Sequence, residues 1–183
     1  MGIFLLSGAS LGPAAWASVP ATAAQLAQAP AFEVSITGYN AVPGQTDGSP
    51  DITASGAYSN PEIIAARSPD LAAELPFGTV IAIVPTDTSD PNCGYPLVAN
   101  RIGFRVIEDS MNPKMHDKVD ILFGTNDMVN LGDRLVNAAN ALGICSNVKV
   151  VVVGHIDLSA LPRTQTELAQ AITGTGAALA VAN

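Results

Sequence analysis

The sequence predicts an all-β barrel with only short helices, and three observations carry that prediction. Apolar runs of four to six residues, bounded by Gly, Pro, Asn and Asp, recur along most of the chain. No long amphipathic helices alternate with them, which disfavours a parallel α/β sheet. The chain is 48% hydrophobic but only 5% aromatic, with Ala, Val and Ile supplying most of the apolar side chains, a composition suited to a strand-rich core closed by small turns. At 183 residues it is long enough for one well-buried domain and too short for two ordinary ones.

The elements follow in order. In residues 32–37, Phe32, Val34 and Ile36 alternate with Glu33, Ser35 and Thr37, the period of a half-buried strand. Residues 38–51 are turn-rich, with Pro43-Gly44, Asp47-Gly48 and Ser49-Pro50 in quick succession, and a short polar segment follows at 52–56. A buried strand at 63–66 leads into a helical turn over 71–75, with Ser68 placed as N-cap and Pro69 just inside it. Residues 79–84 form the clearest strand. Their near-continuous apolar run requires cover on both faces. A polar loop over 86–96 holds Cys93. Strands at 103–107 and 119–123 flank a turn at 110–118, a helix is expected over 132–142 ending at Gly143, and a last buried strand spans 148–153. Beyond 161 the chain offers one short helix, 166–172, and a Gly/Ala-rich tail.

Composition narrows the partners. The formal net charge is −8 and the eight basic residues form no cluster, so neither a run of phosphates nor an anionic membrane surface is a suitable partner. Charged residues, at 13%, fall well below the roughly 25% of an average globular protein, a bias more common in exported chains. Residues 1–23 read as a signal peptide, with small apolar residues leading to Ala15-Trp16-Ala17 or Ala21-Thr22-Ala23 as cleavage sites, although no Lys or Arg precedes the apolar run. Residues 24–31 then serve as a linker, 32–160 as the barrel domain and 161–183 as a C-terminal tail. The protein is therefore expected outside the cytoplasm, with no membrane insertion once the signal is removed. In that setting Cys93 and Cys145 read as one disulfide rather than as two buried thiols, and neither has a His at zinc-ligand spacing.

The residues with chemical potential lie between Val106 and Phe123. Asp109 ends one apolar strand and Asp120 opens the next, although Asp is depleted in strands and costly to bury. Strands joined by one turn would bring the two carboxyls together. Repulsion and desolvation would then raise one above the ~3.9 of free aspartate, leaving a proton to donate near neutral pH. The competing reading is structural, with Asp120 capping a turn or pairing with Lys118 or Arg105 at the surface. His116 lies in a polar turn and reads as solvated, and His155-Ile156-Asp157 is too isolated for a metal site. Thr46 and Asp47 read as turn residues.

From Tyr39 to about Val153 the chain resembles the 3D (Asp-Asp-Asp) domain family of bacterial cell-wall proteins, which is related to membrane-bound lytic transglycosylase A and to stationary-phase-survival, resuscitation-factor-like proteins. The resemblance rests on Tyr39-Asn40-Ala41, Gln45-Thr46-Asp47-Gly48-Ser49-Pro50, Ile52-Thr53-Ala54-Ser55-Gly56, Ile64-Ala65-Ala66-Arg67-Ser68-Pro69-Asp70-Leu71, Leu75-Pro76-Phe77-Gly78-Thr79, Asp109-Ser110-Met111 and Asp120-Ile121-Leu122-Phe123, in that order. It implies a double-psi β-barrel with a groove for peptidoglycan glycan strands. It further implies cleavage between N-acetylmuramic acid and N-acetylglucosamine with a 1,6-anhydro product, using neither metal nor cofactor. By position Asp120 is the acid and then the base, Asp109 its partner, and Asp70 the nearest third aspartate, though its spacing to Pro76-Phe77-Gly78 is longer than in the lytic relatives. Tyr39 and Thr53 either line the sugar groove or complete the barrel wall. Ser110-Met111-Asn112 replaces the Thr-Gly-Gly of the lytic type, which keeps a non-catalytic wall-binding module, and a purely structural envelope protein, in play beside the enzyme.

Overall fold

Six strands carry the fold: β1 (Ala31–Asn40), β2 (Ile64–Arg67), β3 (Thr79–Pro85), β4 (Arg105–Ser110), β5 (Lys118–Phe123) and, after a hairpin formed by β6 (Met128–Leu131) and β7 (Arg134–Asn137), β8 (Cys145–His155). They close into a barrel in the order β1-β5-β2-β4-β3-β8. The computed structural model describes residues 29–85 and 90–174. The proposed signal peptide, most of the linker and the end of the tail lie outside the described residues.

The barrel is mixed. β1 runs parallel to β5 and β2 parallel to β4, while β2·β5, β1·β8, β3·β4 and β3·β8 are antiparallel. Exchanging β1 with β4, β2 with β5 and β3 with β8 leaves this set of pairings unchanged. The first three strands and the last three are therefore two copies of one connection pattern, interlocked about an axis between β2 and β5. Strands β1 and β2 are consecutive in sequence but separated by β5 in the barrel, so the long 41–63 connection between them is a requirement of the topology.

Alternation along each strand feeds two apolar clusters on opposite faces of the wall. Ile36, Ala65, Ile81, Ile107, Ile121 and Val150 belong to one, and Tyr39, Ile64, Val80, Val106, Leu122 and Val151 to the other. Two faces to cover explain the near-continuous apolar run of β3. Helices α1 (Tyr95–Ile102) and α2 (Ala138–Leu142) cap the first cluster through Val98, Ile102, Ala138 and Leu142. Helix α3 (Gln165–Gly174) caps the second through Leu168 and Ile172. Gly38 lets β1 meet α2, because a Cβ there would stand 2.8 Å from the Ala139 backbone.

Three local expectations are corrected. The helix over 132–142 is a hairpin followed by a five-residue helix, since Gly132 with φ +62° and Asp133 make a two-residue turn between Leu131 and Arg134. Only 138–142 is helical, capped by the Asn137 side chain accepting from the Ala139 N–H. The region around 86–96 is not loop throughout. A helix starts at Tyr95, with Pro96 in its first turn, and buries Val98 and Ile102. The helical turn expected over 71–75 is a 3-10 turn at Pro69–Ala72, where Ser68 sits at the N-cap position without a side-chain cap bond. Its hydroxyl instead accepts from the Lys118 N–H.

Arg105 is also not a surface partner for Asp120. It is wholly buried, and its guanidinium donates to the main-chain carbonyls of Arg101, Ile102, Pro61 and Leu122 at 2.6–3.1 Å. One cation thereby ties the long β1–β2 connection, the end of α1 and β5 together. Burial lowers its pKa to about 10, so it stays charged at neutral pH.

Candidate functional site

Four residues lie side by side across the barrel wall. Thr37 on β1 is level with Asp120 on β5, Asp120 is level with Ala66 on β2, and Ala66 is level with Asp109 on β4. The carboxylates therefore do not meet across a turn. They flank a third strand, whose residue between them is an alanine too small to fill the space. The β2·β4 register steps by one residue between Ala65 and Ala66. That irregularity sets Asp109, rather than Glu108, level with Ala66 and in the same row as Asp120.

Both aspartates open into one cavity of about 520 Å³. Its walls include Tyr39 and Ala66 from the barrel, Gln45, Ile52 and Ala54 from the β1–β2 connection, and Met111 and Met115 from the loop after β4. The connection read as a string of turns is thus one side of a pocket. The turn residues Thr46 and Asp47 line it as well.

The two carboxyls are solvated differently. Asp109 accepts from the Tyr39 hydroxyl, the Ala54 N–H and the Ser110 N–H, each at 2.9 Å, and three donors of this kind solvate a negative charge well. Asp120 accepts from the Thr37 hydroxyl at 2.9 Å. Burial pushes the Asp120 pKa up to about 6 and the charge of Asp109 adds to the rise, against downward pulls from Thr37 and Lys118. Burial and the neighbouring Asp109 also push the Tyr39 phenol upward, so it remains a donor. The pair is therefore asymmetric, with three donors on Asp109 and a proton held on Asp120 into the weakly acidic range.

Among the other anticipated residues, Tyr39 is in the cavity but Thr53 is not. Thr53 is buried, and its hydroxyl bonds Ser55 and the Ala57 carbonyl within the connection. Asp70 is likewise absent from the lining. It accepts from the Asp117 N–H at 2.9 Å and lies 3.8 Å from His116, so it anchors the base of the 110–118 loop from the outside. The Ser68 hydroxyl, the Asp117 N–H and nearby His116 lower its pKa. Cys93 and Cys145 form a disulfide that ties the segment before α1 to the start of β8.

No protein-family model matches the chain, and no curated protein matches it significantly in sequence. The functional reading consequently rests on this geometry and on the sequence resemblance. Among the described residues, no three or more His, Cys, Asp and Glu side chains are grouped to hold a metal ion.

Sequence reasoning passed over Glu108 and the cavity wall at Gln45, Ile52 and Ala54. Glu108 carried a signal of its own, an acid directly after Val106-Ile107 in a strand whose apolar residues are all buried. Residues such as Ala54 act through a backbone N–H, which leaves no trace in residue type.

Proposed function

We propose that this protein is a peptidoglycan lytic transglycosylase acting outside the cytoplasm, with the Asp109–Asp120 cavity as its active site. The observation that carries the reading is the asymmetric carboxyl pair, in which one aspartate is rich in donors and the other is half-buried with its pKa raised to about 6. Asp120 gives its proton to the oxygen bridging N-acetylmuramic acid and N-acetylglucosamine, and the C1–O bond breaks with that oxygen leaving as an alcohol. Positive charge developing on the muramic ring is offset by Asp109. The now ionised Asp120 takes the proton from the C6 hydroxyl as that oxygen bonds C1, which closes the 1,6-anhydro ring and restores the acid. Protons and electrons balance without water, metal or redox partner.

The remaining features support this setting. Two interlocked strand patterns with two parallel pairs suit a double-psi arrangement of the six-stranded barrel. A disulfide suits an oxidising compartment. Among the described residues no helix is long and apolar enough to cross a membrane. The division into signal peptide, linker, barrel domain and tail belongs to the same proposal. One observation favours a second reading: Met111, in the segment that departs from the lytic pattern, is in the cavity wall, as is Met115. A wall-binding module would use the same cavity without cleavage.

Purified protein incubated with peptidoglycan, alongside Asp120→Asn, tests the proposal by mass spectrometry of released muropeptides. The expected result is 1,6-anhydro products from the wild type and none above background from the variant. Reducing-end products would indicate hydrolysis instead, and retention on the wall without release would establish the binding module.

A further inference from the structure

The segment after β1 returns to β4 through an acid that the mechanism does not use. Glu108 is wholly buried, and its Oε2 accepts from the Ser55 hydroxyl at 2.6 Å. The Ser55 N–H also donates to the Glu108 main-chain carbonyl at 3.0 Å, so side chain and backbone hold the same residue. Thr53 packs behind Ser55, its hydroxyl oxygen 3.0 Å from that of Ser55, and donates to the Ala57 carbonyl across the turn. Between Thr53 and Ser55 stands Ala54, whose N–H reaches Asp109 Oδ1 at 2.9 Å. Two adjacent acids of β4 therefore grip two adjacent residues of one loop.

A buried carboxyl is an expensive way to fill space. Its other oxygen, Oε1, has no hydrogen-bond partner among the described residues, and an apolar side chain of similar size would avoid that loss. What Glu108 supplies that an apolar residue cannot is the hold on Ser55.

We propose that Glu108 is a positioning residue of the Asp109–Asp120 site, latching the loop through Ser55 so that the Ala54 N–H stays on the Asp109 carboxylate. The consequence reaches Asp120 as well. Ile52 and Ala54 are part of the cavity wall, and Asp120 owes its raised pKa first to burial. Releasing the loop admits water to the cavity, removes one of the three donors from Asp109 and weakens the asymmetry of the pair. The groups facing this assembly are Ser55, the Gly78 backbone and His155 at Glu108, and Thr37, Lys118, Tyr39 and Asp109 at Asp120. The geometry of the latch stands by itself, while its catalytic meaning rests on the function proposed above.

The test uses the full chain with three variants. Glu108→Ala removes the side-chain bond of the latch, Ser55→Ala removes it without opening a core cavity, both leave the Ser55 N–H on the Glu108 main-chain carbonyl, and Glu108→Gln keeps an oxygen to accept from Ser55. Two readouts need no substrate: hydrogen exchange at the Ala54 amide, with the buried Ile81 amide of β3 as reference, and the carboxyl titration of Asp120 by carbon NMR. In Ser55→Ala and Glu108→Ala, Ala54 exchange is expected to quicken about tenfold or more with Ile81 unchanged. The Asp120 midpoint is expected to fall from about 6 toward 3.8. Glu108→Gln is expected to stay near wild type in both. Should Glu108→Ala fail to fold, Ser55→Ala decides alone. Ala54 exchange within twofold of wild type in a folded Ser55→Ala protein overturns the latch, as does a Glu108→Gln protein that behaves like Ser55→Ala. If Asp120→Asn left product yield unchanged, the functional reading would fail while the exchange data still judged the latch.

Discussion

Replacing Asp120 with asparagine should remove a pH dependence of stability whose size follows from the burial of its carboxyl. Asp120 has a folded pKa of about 6 against 3.8 for an ordinary aspartate. Because the folded value is the higher one, the folded chain binds this proton more tightly than the unfolded chain does. The stabilising contribution of the proton is complete below 3.8 and is lost as pH rises through about 6. At about 1.36 kcal/mol for each pH unit between the two values, wild type loses about 3 kcal/mol relative to Asp120→Asn between about pH 3.5 and pH 7.5. The amide differs from the acid by a constant, but a constant offset does not change with pH. In a domain of this size about 3 kcal/mol corresponds to a change of roughly 6–12 °C in the melting-temperature gap between the two proteins across that pH range. Urea unfolding of both proteins across the pH range measures it directly. A gap that opens between pH 4 and 6 and then levels off is expected. Curves that run parallel, with the gap changing by less than about 1 kcal/mol, would show that Asp120 titrates like an exposed aspartate and would remove the acid from the proposed mechanism.

Other consequences are simpler. Under the proposed mechanism only protonated Asp120 starts the reaction, so product formation should fall as pH rises through about 6, tenfold for each further pH unit. A rate that holds steady to about pH 8 would contradict that assignment. The Cys93–Cys145 bond closes a span of 52 residues, so its loss in Cys93→Ala/Cys145→Ala should cost about 4 kcal/mol, read as a lower urea midpoint. Gly38→Ala forces a Cβ to within 2.8 Å of the Ala139 backbone and 3.0 Å of the Phe123 ring, and should lower stability by about 1–3 kcal/mol in the same assay.

The barrel was legible because its strands announce themselves locally. All six runs singled out in the sequence are the six barrel strands, displaced by at most a few residues at their ends, and Asp109 and Asp120 stood out as acids in apolar company. What could not be read was the order of the strands. Nothing local in residues 64–67 says that they insert between β4 and β5, yet that insertion decides how the aspartates meet, across an alanine rather than across a turn. The 132–142 region failed for a different reason. Arg134, Leu135 and Val136 suit a helix as well as a strand, and the two-residue Gly132-Asp133 turn with its cross-strand partners settles the matter only once Val129 and Val136 are seen paired. Asp70 was placed by its neighbours in sequence, whereas its carboxyl serves the loop backbone at Asp117.

The symmetry of the barrel sharpens why the site is lopsided. Under the exchange of its two halves, Thr37 takes the place of Asp109 and Ala66 takes the place of Asp120. One half thus supplies an acid at both positions of the row, and the other supplies a hydroxyl and a methyl. Two acids in both halves would put four carboxyls shoulder to shoulder, a repulsion a folded wall could relieve only by holding several protons at neutral pH. Acids in one half alone leave Thr37 free to donate to Asp120 and leave Ala66 small enough to keep the space between the carboxyls open. The donors then gather on Asp109, from Tyr39, Ala54 and Ser110, while burial keeps a proton on Asp120. The acid of the proposed mechanism, which gives and takes back one proton, would use that division of labour, and the division itself follows from unequal halves of a nearly symmetric barrel.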